Sequence, residues 1–196
     1  MICTRPYKPA LLAFALVTAA GAAAAADETS EGQRLDGDIS AAKAKIAERL
    51  RTANWYIQTE PSAGGGKNVS LSTQAEEPVQ LRFKGIYPTL EVRCLENETA
   101  LILHFDGAVM SDSDGYGDVT FRTDNNEPFT RSFSESNDRQ ALGLSGSESI
   151  PLVQKLFGAN TLLVRASPYG QSAISFELDI SDLEEASKPL RAACNW

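Results

Sequence analysis

The sequence predicts a mainly β fold, an antiparallel, sandwich-like domain with a few short helices, one N-terminal and one C-terminal. Three observations support it. Over residues 87–106, Leu90, Val92 and Cys94 alternate with Glu91 and Arg93, and Glu96-Asn97-Glu98 interrupts the run. Leu101, Leu103 and Phe105 then resume the alternation, the pattern of a hairpin with one buried face. Short alternating runs recur along the rest of the chain, separated by glycine, proline, aspartate and asparagine. Helical spacing is confined to three short stretches, so about eight or nine strands and three helices are expected, most simply as a sandwich.

The first residues read as a targeting segment. Arg5 and Lys8 form a basic start, residues 11–17 an apolar run, and Ala24-Ala25-Ala26 a small-residue cleavage site. A signal peptide over 1–26, cleaved after Ala26, is the expectation; the aliphatic run is short for a membrane span of roughly 20 residues. Cys3 lies ahead of the apolar run and leaves with it. Loss of Arg5 and Lys8 takes the formal charge from −8 to −10. That balance argues against nucleic acid, whose phosphates require a basic stripe, and favours solubility and a cationic partner. No second long apolar run follows, so no stable membrane span is expected in the mature chain.

Residues 27–37 are acidic and lack periodicity, as in a flexible leader. One β-rich domain is then expected over 38–196, with its N-terminal helix at 38–53, where Ile39, Ala42, Ile46, Leu50 and Ala53 recur at helical spacing. Strands are predicted over 55–59, 68–73 and 79–83, the last from the alternation of Val79, Leu81 and Phe83. The glycines at 64–66 lack the Gly-Lys-Ser/Thr ending and following helix of a phosphate loop. After the central hairpin come strands at 119–122 and 129–133, then a short helix from Ser149 with Pro151 in its first turn and Gly158 as its stop. Strands at 161–167 and 172–180 follow, and Ser181-Asp182-Leu183-Glu184 has the spacing of a capping box opening a helix that Pro189 ends or kinks.

Chemistry-bearing motifs are few. Asp112, Asp114 and Asp118, with Gly115 between them, suggest calcium because alternate carboxylates converge where glycine permits a sharp turn. Aligning Gly115 with the invariant glycine of such a loop puts Met110 and Phe121 at its first and last ligand positions, so a hairpin connection explains the same residues. His104 is the single histidine, with no Gly-x-Ser-x-Gly elbow beside it and too few nitrogen and sulfur ligands for zinc. No catalytic residue and no cofactor are therefore expected. Two cysteines, Cys94 and Cys194, remain after export, and in an oxidising compartment they read as a disulfide tying the C-terminus to the hairpin.

Three landmarks carry a family resemblance: Trp55-Tyr56 followed by Lys67-Asn68-Val69-Ser70-Leu71; Pro88-Thr89-Leu90-Glu91-Val92-Arg93-Cys94 with Val119-Thr120-Phe121-Arg122-Thr123-Asp124; and the ending Pro189-Leu190-Arg191-Ala192-Ala193-Cys194-Asn195-Trp196. Together they resemble the VasI/TagO-like family of small exported proteins associated with type VI secretion. The resemblance implies a periplasmic accessory protein that binds envelope or secretion-system proteins and catalyses no known reaction. Glu91, Arg93, Arg122 and Asp124 are the expected partner-binding patch, with cross-strand ion pairs as the plainer account of the same charges. Two rival functions follow from composition: an acidic inhibitor of a cationic, lysozyme-type wall hydrolase, and a glycan hydrolase using paired carboxylates.

Overall fold

The computed structural model describes residues 54–110 and 115–196, together with Ile39. The chain divides into two compact units, Met1–Ile46 and Ala47–Trp196. Of the first, Ile39 is helical and half exposed. The expected signal peptide, leader and remainder of the 38–53 helix lie outside the described residues.

In the second unit the strands are β1 (Tyr56–Pro61), β2 (Lys67–Gln74), β3 (Val79–Gln80), β4 (Gly85–Ile86), β5 (Thr89–Leu95), β6 (Glu98–His104), β7 (Tyr116–Thr123), β8 (Phe129–Glu135), β9 (Ala141–Ser145), β10 (Thr161–Ala166) and β11 (Ile174–Asp179). Among its described residues three short α-helices accompany them: α1 (Ser149–Lys155), α2 (Leu183–Ala186) and α3 (Lys188–Cys194). Nine strands form one antiparallel sheet in the order β1-β2-β5-β6-β9-β8-β7-β10-β11, and β3 and β4 form a separate ribbon. No described helix is long and apolar enough to cross a membrane.

Alternation sets the core. Val69 and Leu71 on β2, Leu90, Val92 and Cys94 on β5, and Leu101 and Leu103 on β6 face one way and are almost wholly buried. Phe121, Phe133, Val164, Phe176 and Leu178 on the other strands join the same cluster. β9 shares five residue pairs with β6 but only two with β8, Ser134↔Gly143 and Glu135↔Leu142. Beyond this narrow junction the sheet folds back on itself. Phe105 and Phe176 meet edge to face at 5.9 Å, and Thr73 Oγ1 of β2 donates to the Asp179 carbonyl of β11 at 3.2 Å. One sheet thereby supplies both layers of the expected sandwich.

Local expectations fare unevenly. Residues 79–83 do not form one strand: Leu81 N–H donates to the Lys84 carbonyl at 2.8 Å, closing a turn after Gln80 and leaving Phe83 91% exposed. The capping box does not form. Asp182 takes the N-cap position of α2 at φ 58°, while Ser181 Oγ donates to its neighbour Asp179 Oδ1 at 2.6 Å. Ser149 likewise donates to the Gly146 and Thr99 carbonyls instead of capping α1. Pro189 acts as expected: the helix breaks at Ser187, and the proline sits in the first turn of α3, where its missing N–H is not needed.

Candidate functional site

The β5–β6 hairpin turns through Glu96 (φ 48°) and Asn97 (φ 66°), two successive left-handed residues as a type I′ turn requires. Its tip is held from two sides. From the β1–β2 loop, Ser62 Oγ donates to the Glu96 carboxylate at 2.9 Å, and at the start of β2 Asn68 Oδ1 accepts from Glu96 N–H at 3.0 Å. Hydrogen bonds donated to the carboxylate by Ser62 Oγ and, at 3.5 Å, by Asn68 Nδ2 hold the Glu96 carboxyl below the usual range. From the other side comes the chain end. Cys194 is bonded to Cys94, with Cα atoms 5.7 Å apart and a separation of 100 positions in sequence. Asn195 Nδ2 donates to Asn97 Oδ1 at 2.9 Å, and Trp196 Nε1 to Thr99 Oγ1 at 2.8 Å. Cys94 and Thr99 stand opposite each other in the register, so three consecutive C-terminal residues grip both strands and the turn between them.

Local sequence explains the grip. Leu190 and Cys194 are the buried residues of α3, one turn apart on the side that packs against β2 and β5. Asn195 then adopts φ 58°, a left-handed ending that asparagine tolerates, and the chain reverses towards the hairpin. Both half-cystines are buried, Cys94 at 1% and Cys194 at 8% exposure.

On the outer face of the same hairpin stand Glu91 and Arg93. Glu91 Oε2 accepts from His104 Nε2 across the strands at 2.7 Å. That hydrogen bond, with the nearby charges of His104 and Arg93, holds the Glu91 carboxyl below its ordinary value against the opposing effect of burial. Gln58, Asn68, Ser70, Glu91, Arg93 and Leu95 line a shallow depression of about 170 Å³ on this face. Arg122 and Asp124 lie elsewhere. Strands β6, β9 and β8 separate β5 from β7, so the four patch residues form two distant pairs and not one surface. Asp124 accepts from Thr161 N–H at 2.9 Å, Asn160 N–H at 3.1 Å and the Thr161 hydroxyl at 3.2 Å. Chiefly the Thr161 amide holds its carboxyl low, so Asp124 ties the β7–β8 turn to the start of β10.

Asp118 is an exposed residue of β7, and Asp112 and Asp114 lie outside the described residues. Among the described residues no three His, Cys, Asp or Glu side chains gather as a metal site. Sequence reasoning missed Asn195, Trp196, Asn97 and Thr99 as parts of the grip. The only signal was the adjacency of two of them to Cys194.

The family model described as Type VI secretion system VasI, EvfG matches residues 18–196. Neither a curated protein nor a solved structure matches the chain. The Leu-x-Val-Arg-Cys strand of β5 and the Cys-x-Trp ending that grips it both fall within that match, and it covers nearly the whole chain. The chain therefore belongs to the VasI/EvfG family of type VI secretion system proteins.

Proposed function

We propose that this type VI secretion-associated protein is exported to the periplasm, where it acts without catalysis as a binding accessory of the secretion machine. The observation that carries this reading is the buried Cys94–Cys194 disulfide, which joins positions 100 residues apart. Such bonds form and persist in oxidising compartments. The basic, apolar and small-residue start of the chain supports the same destination. A scaffold closed at its far end suits docking, because a preorganised surface loses little entropy on association. Two measurements test the proposal. Residues 1–53 fused to a reporter active only outside the cytoplasm should give activity, and deletion of the gene should reduce type VI substrate release until the wild-type chain is restored. An inactive fusion rejects export, and unchanged release rejects the accessory role.

A second reading, inhibition of a cationic wall hydrolase, draws on a groove of about 690 Å³ that includes Glu76, Glu77, Glu177 and Asp179. Carboxylates so placed steer a basic protein towards them. Lysozyme activity unchanged by micromolar amounts of the purified chain removes this reading.

A further inference from the structure

The β3–β4 ribbon ends in Leu81-Arg82-Phe83-Lys84, and at its apex Phe83 is 91% exposed. Arg82 lies 5.9 Å from the centre of its ring. Facing the ribbon are Val109 and Tyr169, themselves 39% and 61% exposed and joined by a hydrogen bond from Tyr169 N–H to the Val109 carbonyl at 2.8 Å. Between them runs a groove of about 510 Å³. Its charged lining consists of Arg82, Lys84 and Arg139, with no carboxylate among the described lining residues, although the chain as a whole carries −8. Lys84 Nζ donates to the Asp106 backbone carbonyl at 2.6 Å, which holds the ammonium in place without neutralising it. Arg139 pairs with Glu135 at 3.0 Å, and Arg82 and Lys84 have no ion-pair partner among the described residues.

We propose that this groove docks an extended segment of a partner protein in which carboxylates flank an apolar side chain. This inference rests on the reading that the protein acts by binding and names the surface it uses. Arginine and aromatic side chains together are the residue types that dominate interface energetics, and the cationic lining selects an anionic occupant. A peptide fits this charge distribution better than a bilayer. A peptide in a concave groove meets the described lining, whose charged side chains are Arg82, Lys84 and Arg139, whereas an anionic membrane sets a plane of negative charge against the wider acidic surface.

The test is fluorescence anisotropy of a labelled Glu-Leu-Glu-Glu-Leu-Glu peptide with the full exported chain. Its Lys-for-Glu counterpart and phosphatidylglycerol vesicles are run alongside. The acidic peptide should bind and the basic one should not. Affinity should fall as salt rises from about 0.1 M to about 1 M, where screening shortens from about 10 Å to about 3 Å. Arg82→Glu with Lys84→Glu should weaken binding by about tenfold or more. Phe83→Ala and, on the separate loop, Tyr169→Ala should each weaken it with an unchanged melting temperature. No binding, equal binding of both peptides, binding insensitive to all these variants, or vesicle binding without peptide binding each overturns the proposal. Secretion unaffected by gene deletion while the groove still binds peptide rejects the accessory role and leaves the groove standing.

Discussion

Trp196 is half-buried and donates its indole N–H to the hydroxyl of Thr99, a residue only 3% exposed. Trp196→Phe keeps most of the ring packing and removes the donor. It should cost about 1 kcal/mol, read as a fall of about 2–4 °C in melting temperature. An unchanged melting temperature would mean the bond contributes nothing. Glu91 supplies a pH-dependent counterpart. Its folded carboxyl lies below its ordinary value, held there chiefly by the His104 hydrogen bond, so the stability it adds is complete above that ordinary value. The contribution is lost as pH falls through the lower, folded value. Glu91→Gln should therefore lose less stability than the wild type as pH falls from the ordinary carboxyl range to below it, a difference that denaturant titrations across that range detect. At this scale the sequence was legible where few choices existed: once Cys3 is set aside, two cysteines allow one pairing. It was not legible for Trp196 and Asn195, whose partners depend on where α3 delivers the chain end, or for Asp124, whose carboxylate is consumed by a turn.

Among the elements, the β5–β6 hairpin was read correctly because its two periods flank a turn of suitable chemistry. Asn97 at φ 66° makes the turn testable. Asn97→Gly should preserve it, whereas Asn97→Ala should cost about 1–2 kcal/mol through left-handed strain, in addition to the bond from Asn195. Equal melting temperatures for the two variants would contradict the turn assignment. β9 escaped the sequence reading, since Ala141-Leu142-Gly143-Leu144 is short and glycine weakens the strand signal. That glycine lies beside Ile102, and a Cβ there would meet Ile102 Cγ1 at 3.6 Å. Gly117 has a sharper constraint: a Cβ would fall 2.9 Å from both Leu142 Cδ1 and the Met110 carbonyl. Gly117→Ala should destabilise by about 1–3 kcal/mol through overpacking against the Leu142 side chain of β9 and the Met110 backbone. Tolerance without loss of melting temperature would show that β9 can yield. The residue 79–83 alternation misled because two strand residues and a four-residue turn mimic period two. Phe83 then counts as buried on pattern alone, although the turn carries it outward.

For the molecule as a whole, mainly antiparallel β architecture follows from the recurring alternation, while the sheet order does not. Strand order is set by long-range pairing, and the narrow β8–β9 junction that lets one sheet form both layers has no local signature. The expected patch of Glu91, Arg93, Arg122 and Asp124 separates for the same reason, since equivalent patterns on β5 and β7 belong to different layers. The covalent bond across this topology closes a 100-residue loop, for which the chain-entropy model gives about 4.7 kcal/mol of stabilisation. Cys94→Ser with Cys194→Ser should accordingly cost about 2–5 kcal/mol in denaturant titration. The most direct test of the account is intact-mass spectrometry of the chain recovered from the periplasmic fraction, with and without prior reduction and thiol alkylation. The account predicts the mass of residues 27–196 less two hydrogens, with label entering only after reduction. An uncleaved chain, or Cys94 and Cys194 both alkylated without reduction, would contradict it.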